Sequence, residues 1–168
     1  MSVLSVQSVS YSYKTKYQTV QAVKDVSCDL SAGTLYALVG KSGSGKTTLL
    51  SLLAGLDTPQ SGDIMVNGQS LREIDVDIRR KQASVIYQSY NLFPLMTVCE
   101  NVMYPLKLLR HSDADAKKEA QIALEKVGLG ESYWKRLPAM LSGGEQQRVA
   151  IARTLAVHAQ IVLADEPT

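Results

Sequence analysis

The stretch Gly40-Lys41-Ser42-Gly43-Ser44-Gly45-Lys46-Thr47 decides the fold of this chain. It fits the pattern G-x-x-x-x-G-K-[ST] at every fixed position, and an apolar run at Thr34–Val39 precedes it. Its glycines allow successive backbone N–H groups to converge on phosphate oxygens, and a following helix adds its positive dipole end. In this pattern the lysine reaches the β- and γ-phosphates, and the Thr47 hydroxyl binds Mg²⁺. The stretch therefore predicts a nucleotide-phosphate site of the kind that kinases, GTPases and ATPases share.

Hydrophobic patterning on both sides of this loop predicts an α/β fold. Alternation and turn residues indicate strands, a period of 3.6 residues indicates helices, and Asn67-Gly68 indicates a hairpin turn. The expected strands are Val3–Tyr13, Val20–Leu30, Thr34–Val39, Asp63–Val66, Ala83–Tyr87 and Ile161–Ala164, of which Thr34–Val39 and Ala83–Tyr87 should be buried. The expected helices cover 46–56, 75–82, 97–109, 112–127 and 142–158.

Composition excludes several classes of protein. The chain has 168 residues, 45% hydrophobic and 20% charged, which is ordinary for a globular domain and unlike collagen, coiled coils or disordered chains. The longest apolar run, near Leu49–Leu56, is far shorter than a membrane span, and the N-terminus does not resemble a secretory signal. Cys28 and Cys99 are isolated, and the net charge is only +2. We therefore expect a soluble, intracellular, single-domain protein with reduced thiols that does not bind nucleic acid.

A pair of acids follows the last apolar run. Ile161–Ala164 should deliver Asp165 and Glu166 at the carboxyl end of a strand, where ligands bind in parallel α/β sheets. One carboxylate there can hold Mg²⁺ and the next can orient or deprotonate an attacking water. We assign Asp165 to the metal and Glu166 to the water.

The stretch Leu141–Arg148 separates the nucleotide-binding families from one another. Ser142 and Glu145 form a predicted capping box at a helix start. Gly143 and Gly144 leave that start without covering side chains, which creates a second potential anion site. Two glycines in a first helical turn weaken the helix, so their presence favours close approach of a ligand.

These motifs resemble those of the ATP-binding cassette (ABC) family over the whole chain. Leu141–Gln147 resembles its signature motif, and Gly40–Thr47 and Ile161–Glu166 resemble its Walker A and Walker B motifs. The 96 residues from Lys46 to Ser142 suit a compact transporter cassette. The residues around these motifs are most similar to those of the group for lipoprotein release and macrolide export. The resemblance implies a P-loop NTPase fold with a RecA-like core, an N-terminal antiparallel β subdomain and a helical signature subdomain.

The resemblance also implies the site residues. Gln88 is similar to the Q-loop glutamine, and Tyr13 lies where an aromatic side chain stacks on adenine, with Tyr11 as the alternative. The implied ATP-binding residues are Tyr13, Gly40, Lys41, Ser42, Gly43, Ser44, Gly45, Lys46, Thr47, Thr48 and Gln88, with Ser142, Gly143, Gly144 and Glu145 supplied by a second cassette. The implied catalytic residues are Lys46, Gln88 and Glu166, and the implied Mg²⁺ ligands are Thr47, Gln88 and Asp165.

By resemblance, two cassettes pair head to tail around two ATP molecules and power a membrane permease, which segment 88–104 should face. The chain would then lie in the cytoplasm, on the inner face of the plasma membrane. The implied division of this one cassette is an antiparallel β part at 1–33 and 62–72, a phosphate-loop core at 34–61, 73–88 and 159–168, and a helical part at 89–158.

Two alternatives remain open, a cassette that binds ATP and a partner without efficient hydrolysis, and a cassette protein without a transport role. Family members continue beyond the D-E-P-T segment into a D-loop, a further strand and a switch histidine. His111 and His158 both precede Glu166 and do not replace that histidine. We therefore expect a gap in the central sheet of this chain, and we expect the chain either to be the N-terminal portion of a longer product or to need completion from elsewhere.

Overall fold

The computed structural model describes residues 2–166, with the side chains of all of these except Ser2, Val76, Asp77 and Arg80. The last two residues of the expected core segment 159–168 therefore lie outside the described residues. The chain divides into two compact units, Met1–Arg79 and Arg80–Thr168. No helix within residues 2–166 is long and apolar enough to cross a lipid bilayer.

An antiparallel sheet and a helix form the first unit. Four strands are arranged in the order β2-β1-β3-β4, with every neighbouring pair antiparallel. The elements in chain order are β1 Ser2–Lys14, β2 Thr19–Ser31, α1 Lys46–Leu53, β3 Ser61–Val66, β4 Gln69–Ser70 and α2 Val76–Gln82, the last of which continues into the second unit.

Alternating side chains determine the register of this sheet. Leu4 of β1 pairs with Val66 of β3, and Val6 pairs with Ile64, so all four buried side chains lie on one face. The tight link from β3 to β4 is Asn67-Gly68, with φ of 50° and 81°. Positive φ at both central residues is the signature of a type I′ hairpin turn. The hairpin predicted from Asn67-Gly68 is therefore confirmed.

Three helices form the core of the second unit. The elements in chain order are β5 Ala83–Ile86, α3 Val98–Leu108, α4 Asp113–Lys126, α5 Glu131–Trp134, a 3₁₀ turn at Pro138–Met140, α6 Gly143–Ala156 and β6 Ile161–Ala164. Valine and leucine side chains of α3 pack against alanines of α4 and α6, whose small size allows the helices to approach closely. Strands β5 and β6 pair in parallel, with Val85 opposite Leu163 and Ile86 opposite Ala164.

The sequence predicts most of these elements to within a few residues, but it misses the short helix α5 and the 3₁₀ turn, and one predicted strand is wrong. Thr34–Val39, expected as a buried strand, is not a strand, and its side chains at Leu35 and Val39 are 98% and 86% exposed. An apolar run becomes a strand only when a neighbour completes its hydrogen-bond ladder. Neither sheet of the described residues includes Thr34–Val39. The burial predicted for Ala83–Tyr87 is also only partly right, because only Ile86 of β5 is fully buried.

Candidate nucleotide site

The glycine-rich loop leads directly into α1. Gly45 is the N-cap of that helix, with φ of 91° and no side-chain capping bond, so the first N–H groups of α1 have no side-chain cap. A Cβ at Gly45 would collide with the carbonyl oxygen of Ala22, and Gly43 also has positive φ. The chain therefore needs glycine at Gly45 for both conformation and space. A bare helix N-terminus behind a tight glycine loop fits a phosphate group.

The Lys46 ammonium lies folded back across the loop. Its Nζ donates hydrogen bonds to the carbonyl oxygens of Gly40 at 2.9 Å and Lys41 at 3.1 Å. These contacts hold the positive charge beside the loop backbone instead of in bulk solvent. A polyphosphate in the loop offers the ammonium charged acceptors in place of neutral carbonyls, which makes stronger hydrogen bonds.

Tyr13, the expected adenine-stacking residue, is fixed to the helix that follows the loop. Its hydroxyl lies 3.1 Å from Oγ1 of the buried Thr48. Tyr11 packs edge-on against it, with the ring centroids 5.1 Å apart and an interplanar angle of 79°. The Tyr13 side chain is nevertheless 44% exposed, so part of its ring is free to stack on a planar ligand.

The acid pair lies at the carboxyl end of β6, as the sequence predicts. The Asp165 amide donates to the carbonyl of Ile86 at 2.9 Å, which extends the parallel ladder by one residue. Nε2 of Gln88 then donates to Oε2 of Glu166 at 2.9 Å, and both side chains are exposed. The structure therefore brings together two residues that the sequence assigns to catalysis, Gln88 and Glu166.

The loop that follows Gln88 is held by two residues that sequence reasoning missed. Asn101 is fully buried in α3, and its side chain bonds the backbone of Phe93 at both N–H and C=O. Arg153 of α6 donates to the carbonyls of Tyr90 and Asn91. Asn101 could have been identified from the sequence, because an asparagine on the apolar face of a predicted helix is a buried amide that needs hydrogen-bond partners. No local sequence pattern marks Arg153.

The start of α6 has a capping box, and its two glycines remain uncovered by other atoms. Oγ of Ser142 accepts from the Glu145 amide at 3.3 Å, and Oε2 of Glu145 accepts from the Ser142 amide at 2.7 Å, so the predicted capping box is present. Hydrogen bonds from the backbone and then the hydroxyl of Ser142 lower the pKa of the Glu145 carboxyl from its ordinary value. Gly143 and Gly144 are exposed, and a Cβ built at either would have no atom within 4 Å. This helix start can therefore accept a ligand from outside.

A glycine loop that opens a helix and a pair of acids at the end of a parallel strand are both features of phosphate-loop nucleotide-binding proteins. Comparison with known proteins specifies the family. The family model described as ABC transporter matches residues 23–168, and this chain belongs to that family of ATP-binding cassette proteins. It is an ABC-type ATPase by family, and ATP is its nucleotide.

Two curated proteins illustrate the similarity. The uncharacterized ABC transporter ATP-binding protein YclH of Bacillus subtilis is 38% identical over 169 residues, covering 100% of this chain and 74% of that protein. The lipoprotein-releasing system ATP-binding protein LolD of Shewanella oneidensis is 43% identical over 169 residues, covering 98% of this chain and 73% of that protein. The expected resemblance to cassettes of the lipoprotein-release group is confirmed.

A solved cassette structure supports the fold. The dimeric post-hydrolysis state of the ATP-binding cassette MJ0796, bound to ADP and Pi, is similar with a TM-score of 0.89 and 35% identity. The similarity covers 98% of this chain and 74% of that one. The P-loop NTPase fold with an antiparallel β part and a helical part, expected from the motifs, is confirmed.

Proposed function

We propose that the chain is the ATP-binding and hydrolysing subunit of a membrane transporter, and that ATP-driven, head-to-tail pairing of two copies powers a permease. The open start of α6 carries this proposal. Gly143 and Gly144 present backbone N–H groups to solvent beside the Ser142 hydroxyl, which is bonded to Glu145 in the capping box, and this helix start is suited to an anion on another molecule. In a pair of copies, this surface would cap the terminal phosphate held by the partner's loop.

Within each copy, the phosphate loop would hold the nucleotide. The N–H groups of the loop and of the first turn of α1 would bind the phosphates, and Lys46 would move from the loop carbonyls that it now contacts to phosphate oxygens. The partly exposed ring of Tyr13 stacks on adenine, and the Thr48 contact fixes its orientation. Lys41, Ser42 and Ser44 are exposed along the same loop.

The residues proposed for Mg²⁺ fit that ion chemically. Thr47, Gln88 and Asp165 offer a hydroxyl, an amide carbonyl and a carboxylate, which are the oxygen donors that Mg²⁺ selects. Since Gln88 uses its Nε2 toward Glu166, its Oε1 has no partner among residues 2–166 and is available as a ligand. When bound, the ion would neutralise charge that develops on the phosphates during hydrolysis.

Glu166 is the proposed general base. In the described structure its carboxylate accepts a hydrogen bond from Gln88, which fixes its orientation at the strand end. From there it would orient a water molecule and take its proton as the water attacks the terminal phosphate. Gln88 lies next to this carboxylate, so its amide would help to position the same water.

The segment 88–104 is the proposed contact with the permease. It carries exposed apolar side chains, with Phe93 at 36% and Leu95 at 91% exposure. Such residues suit a protein partner better than water. Through the permease the cassette would sit at the cytoplasmic face of the plasma membrane, and no membrane-spanning helix occurs in the described range.

The three-part division of the cassette belongs to this proposal. Its antiparallel β part is 1–33 with 62–72, its phosphate-loop core is 34–61 with 73–88 and 159–168, and its helical part is 89–158.

Light scattering of the Glu166→Gln variant tests the proposal. This change removes the base and keeps the shape, so the variant should associate to a dimer in Mg-ATP and return to monomer in Mg-ADP. The matched control is Glu125→Gln on the exposed surface of α4, which should not accumulate as a dimer. A Glu166→Gln variant that binds ATP and stays monomeric would contradict paired action.

A further inference from the structure

A clamp from α6 fixes the turn that follows Gln88. Nη1 of Arg153 donates to the carbonyl of Asn91 at 2.8 Å, and Nη2 donates to the carbonyl of Tyr90 at 2.7 Å. The guanidinium therefore grips two successive peptide groups with two parallel donors. Lysine cannot reproduce this fork, because its ammonium is a single point of charge.

The clamped turn has an unfavourable backbone conformation. Tyr90 and Asn91 are consecutive and have φ of 59° and 44°, in the left-handed region that non-glycine residues seldom adopt. Local bonds support the turn, since the Tyr90 amide donates to Tyr87 and Ser89 Oγ donates to Asn91 Oδ1. Two residues in this conformation persist only where the surroundings impose it. Arg153 supplies that constraint from 62 residues away in sequence.

Arg153 is itself placed to act as a fixed element. It lies on the 14-residue helix α6, and the residues on either side of it, Ala152 and Thr154, are buried. Burial lowers the pKa of the Arg153 guanidinium from its ordinary value, and the nearby Tyr87 opposes that change. A partly buried cation is costly unless it is hydrogen-bonded, and the two carbonyls supply those bonds.

We propose that Arg153 is a positioning residue for ATP hydrolysis: by holding the carbonyls of Tyr90 and Asn91, it fixes the turn after β5 and keeps the Gln88 amide within hydrogen-bonding reach of Glu166. Gln88 lies inside the turn that the Tyr90 amide closes on the Tyr87 carbonyl, two residues before Tyr90, so the backbone that Arg153 holds is continuous with the backbone that orients the Gln88 side chain. The role of Arg153 rests on the proposed function, because it acts through Gln88.

Steady-state hydrolysis by Arg153→Lys is the first test. The variant keeps the charge and loses the fork, so kcat should fall about tenfold while KM for ATP stays within about twofold. Arg110→Lys is the matched control, because Arg110 is exposed and its side chain has no hydrogen bond within residues 2–166; it should keep full turnover. Amide exchange in segment 87–91 should rise in Arg153→Lys and stay unchanged in Arg110→Lys.

A double-mutant cycle separates positioning from general stability. If Arg153 acts through Gln88, turnover of Arg153→Lys/Gln88→Ala should equal that of Gln88→Ala alone. Once the Gln88 amide is gone, the Arg153 change has nothing left to misplace. The inference would be overturned if the fold-losses of turnover in the two single variants multiplied in the double variant. It would also be overturned by full turnover in Arg153→Lys while Gln88→Ala is impaired. Full turnover in Gln88→Ala would instead refute the proposed role of Gln88 and, with it, that of Arg153.

A second pair of variants changes the turn without touching α6. Asn91 is exposed, so Asn91→Val leaves the core intact but places a β-branched residue in the left-handed region. It should lose turnover as Arg153→Lys does, and Gln88→Ala should mask that loss as well. Asn91→Gly, which tolerates this conformation, should stay within about twofold of the parent chain. Equal turnover in Asn91→Val and Asn91→Gly would overturn the inference.

Discussion

Gln88 donates a hydrogen bond from its Nε2 to Oε2 of Glu166 at 2.9 Å, although the two residues are 78 positions apart in the chain. Parallel pairing of β5 with β6 produces this contact, because Ile86 lies opposite Ala164 and both strands end at the same edge. A positive φ of 45° at Glu166 turns the chain sharply where the strand ends. One edge of the second unit therefore presents an amide and a carboxylate side by side.

The first prediction concerns this pair. Glu166→Gln should lower the rate of ATP hydrolysis by about 100-fold or more, because an amide does not accept the proton of the attacking water. Nucleotide affinity should change little, since binding depends on the phosphate loop. Turnover and ATP binding measured on the same preparation separate the two effects. Glu125→Gln is the control, and undiminished turnover in Glu166→Gln would remove Glu166 as the base.

The second prediction concerns the loop lysine. Lys46→Ala removes the ammonium that lies over the loop carbonyls and is proposed to reach the phosphates. ATP affinity measured by calorimetry should fall by about 100-fold, as expected for the loss of a charge-assisted hydrogen bond in a phosphate site. Lys24→Ala, on the exposed surface of β2, should bind ATP as the parent chain does. Unchanged affinity in Lys46→Ala would disprove the phosphate-loop assignment.

The third prediction decides between the two candidate aromatic residues. Tyr13→Ala should weaken ATP binding by about tenfold through loss of ring stacking, whereas Tyr13→Phe should lose only the hydroxyl contact with Thr48 and bind within about threefold. Tyr11→Ala should have a smaller effect than Tyr13→Ala. A larger loss in Tyr11→Ala would transfer the stacking role to Tyr11. Equilibrium binding of a fluorescent ATP analogue provides the measurement.

Local rules predicted the elements whose cause lies in neighbouring residues. The predicted capping box of Ser142 with Glu145 forms, and the same spacing at Thr97 and Glu100 forms a second box at the start of α3, because each needs only one turn of helix. The hairpin at Asn67-Gly68 forms for the same reason. These features depend on φ preferences and hydrogen bonds within four residues, which a sequence displays directly.

Long-range features were predicted less well. Thr34–Val39 has the composition of a strand, yet its conformation depends on a neighbouring strand, and the described residues provide none. The Arg153 clamp joins residues 62 and 63 positions apart, and no spacing rule connects them. Gln88 was identified by resemblance to a family motif and Glu166 by its place after an apolar strand, but their hydrogen bond appears only when both strands are in place.

The fourth prediction concerns acid stability at the start of α3. Hydrogen bonds from the backbone and hydroxyl of Thr97 lower the pKa of Glu100 from its ordinary value of 4.5. A carboxyl whose pKa is lower in the folded state stabilises it above the unfolded value, and that contribution is lost as the pH falls through the folded value. Glu100→Gln should therefore reduce the free energy of unfolding at pH 7 by about 0.5 kcal/mol.

Urea denaturation at two pH values checks the direction in which the Glu100 contribution to the free energy of unfolding changes with pH. The difference between Glu100→Gln and the parent chain should be present at pH 7 and should shrink as the pH falls below 4.5. Glu125→Gln, on an exposed face of α4, should show no such difference at either pH. A gap between Glu100→Gln and the parent that widens in acid would contradict the assigned direction.

Mixing two inactive variants tests head-to-tail pairing most directly. Lys46→Ala lacks a working phosphate loop, and Gly144→Asp places a negative charge at the open start of α6, so neither should hydrolyse ATP alone. In a mixed pair, one site combines the intact loop of one copy with the intact helix start of the other. The account predicts that phosphate release reappears on mixing, and a mixture as inactive as its components would contradict it.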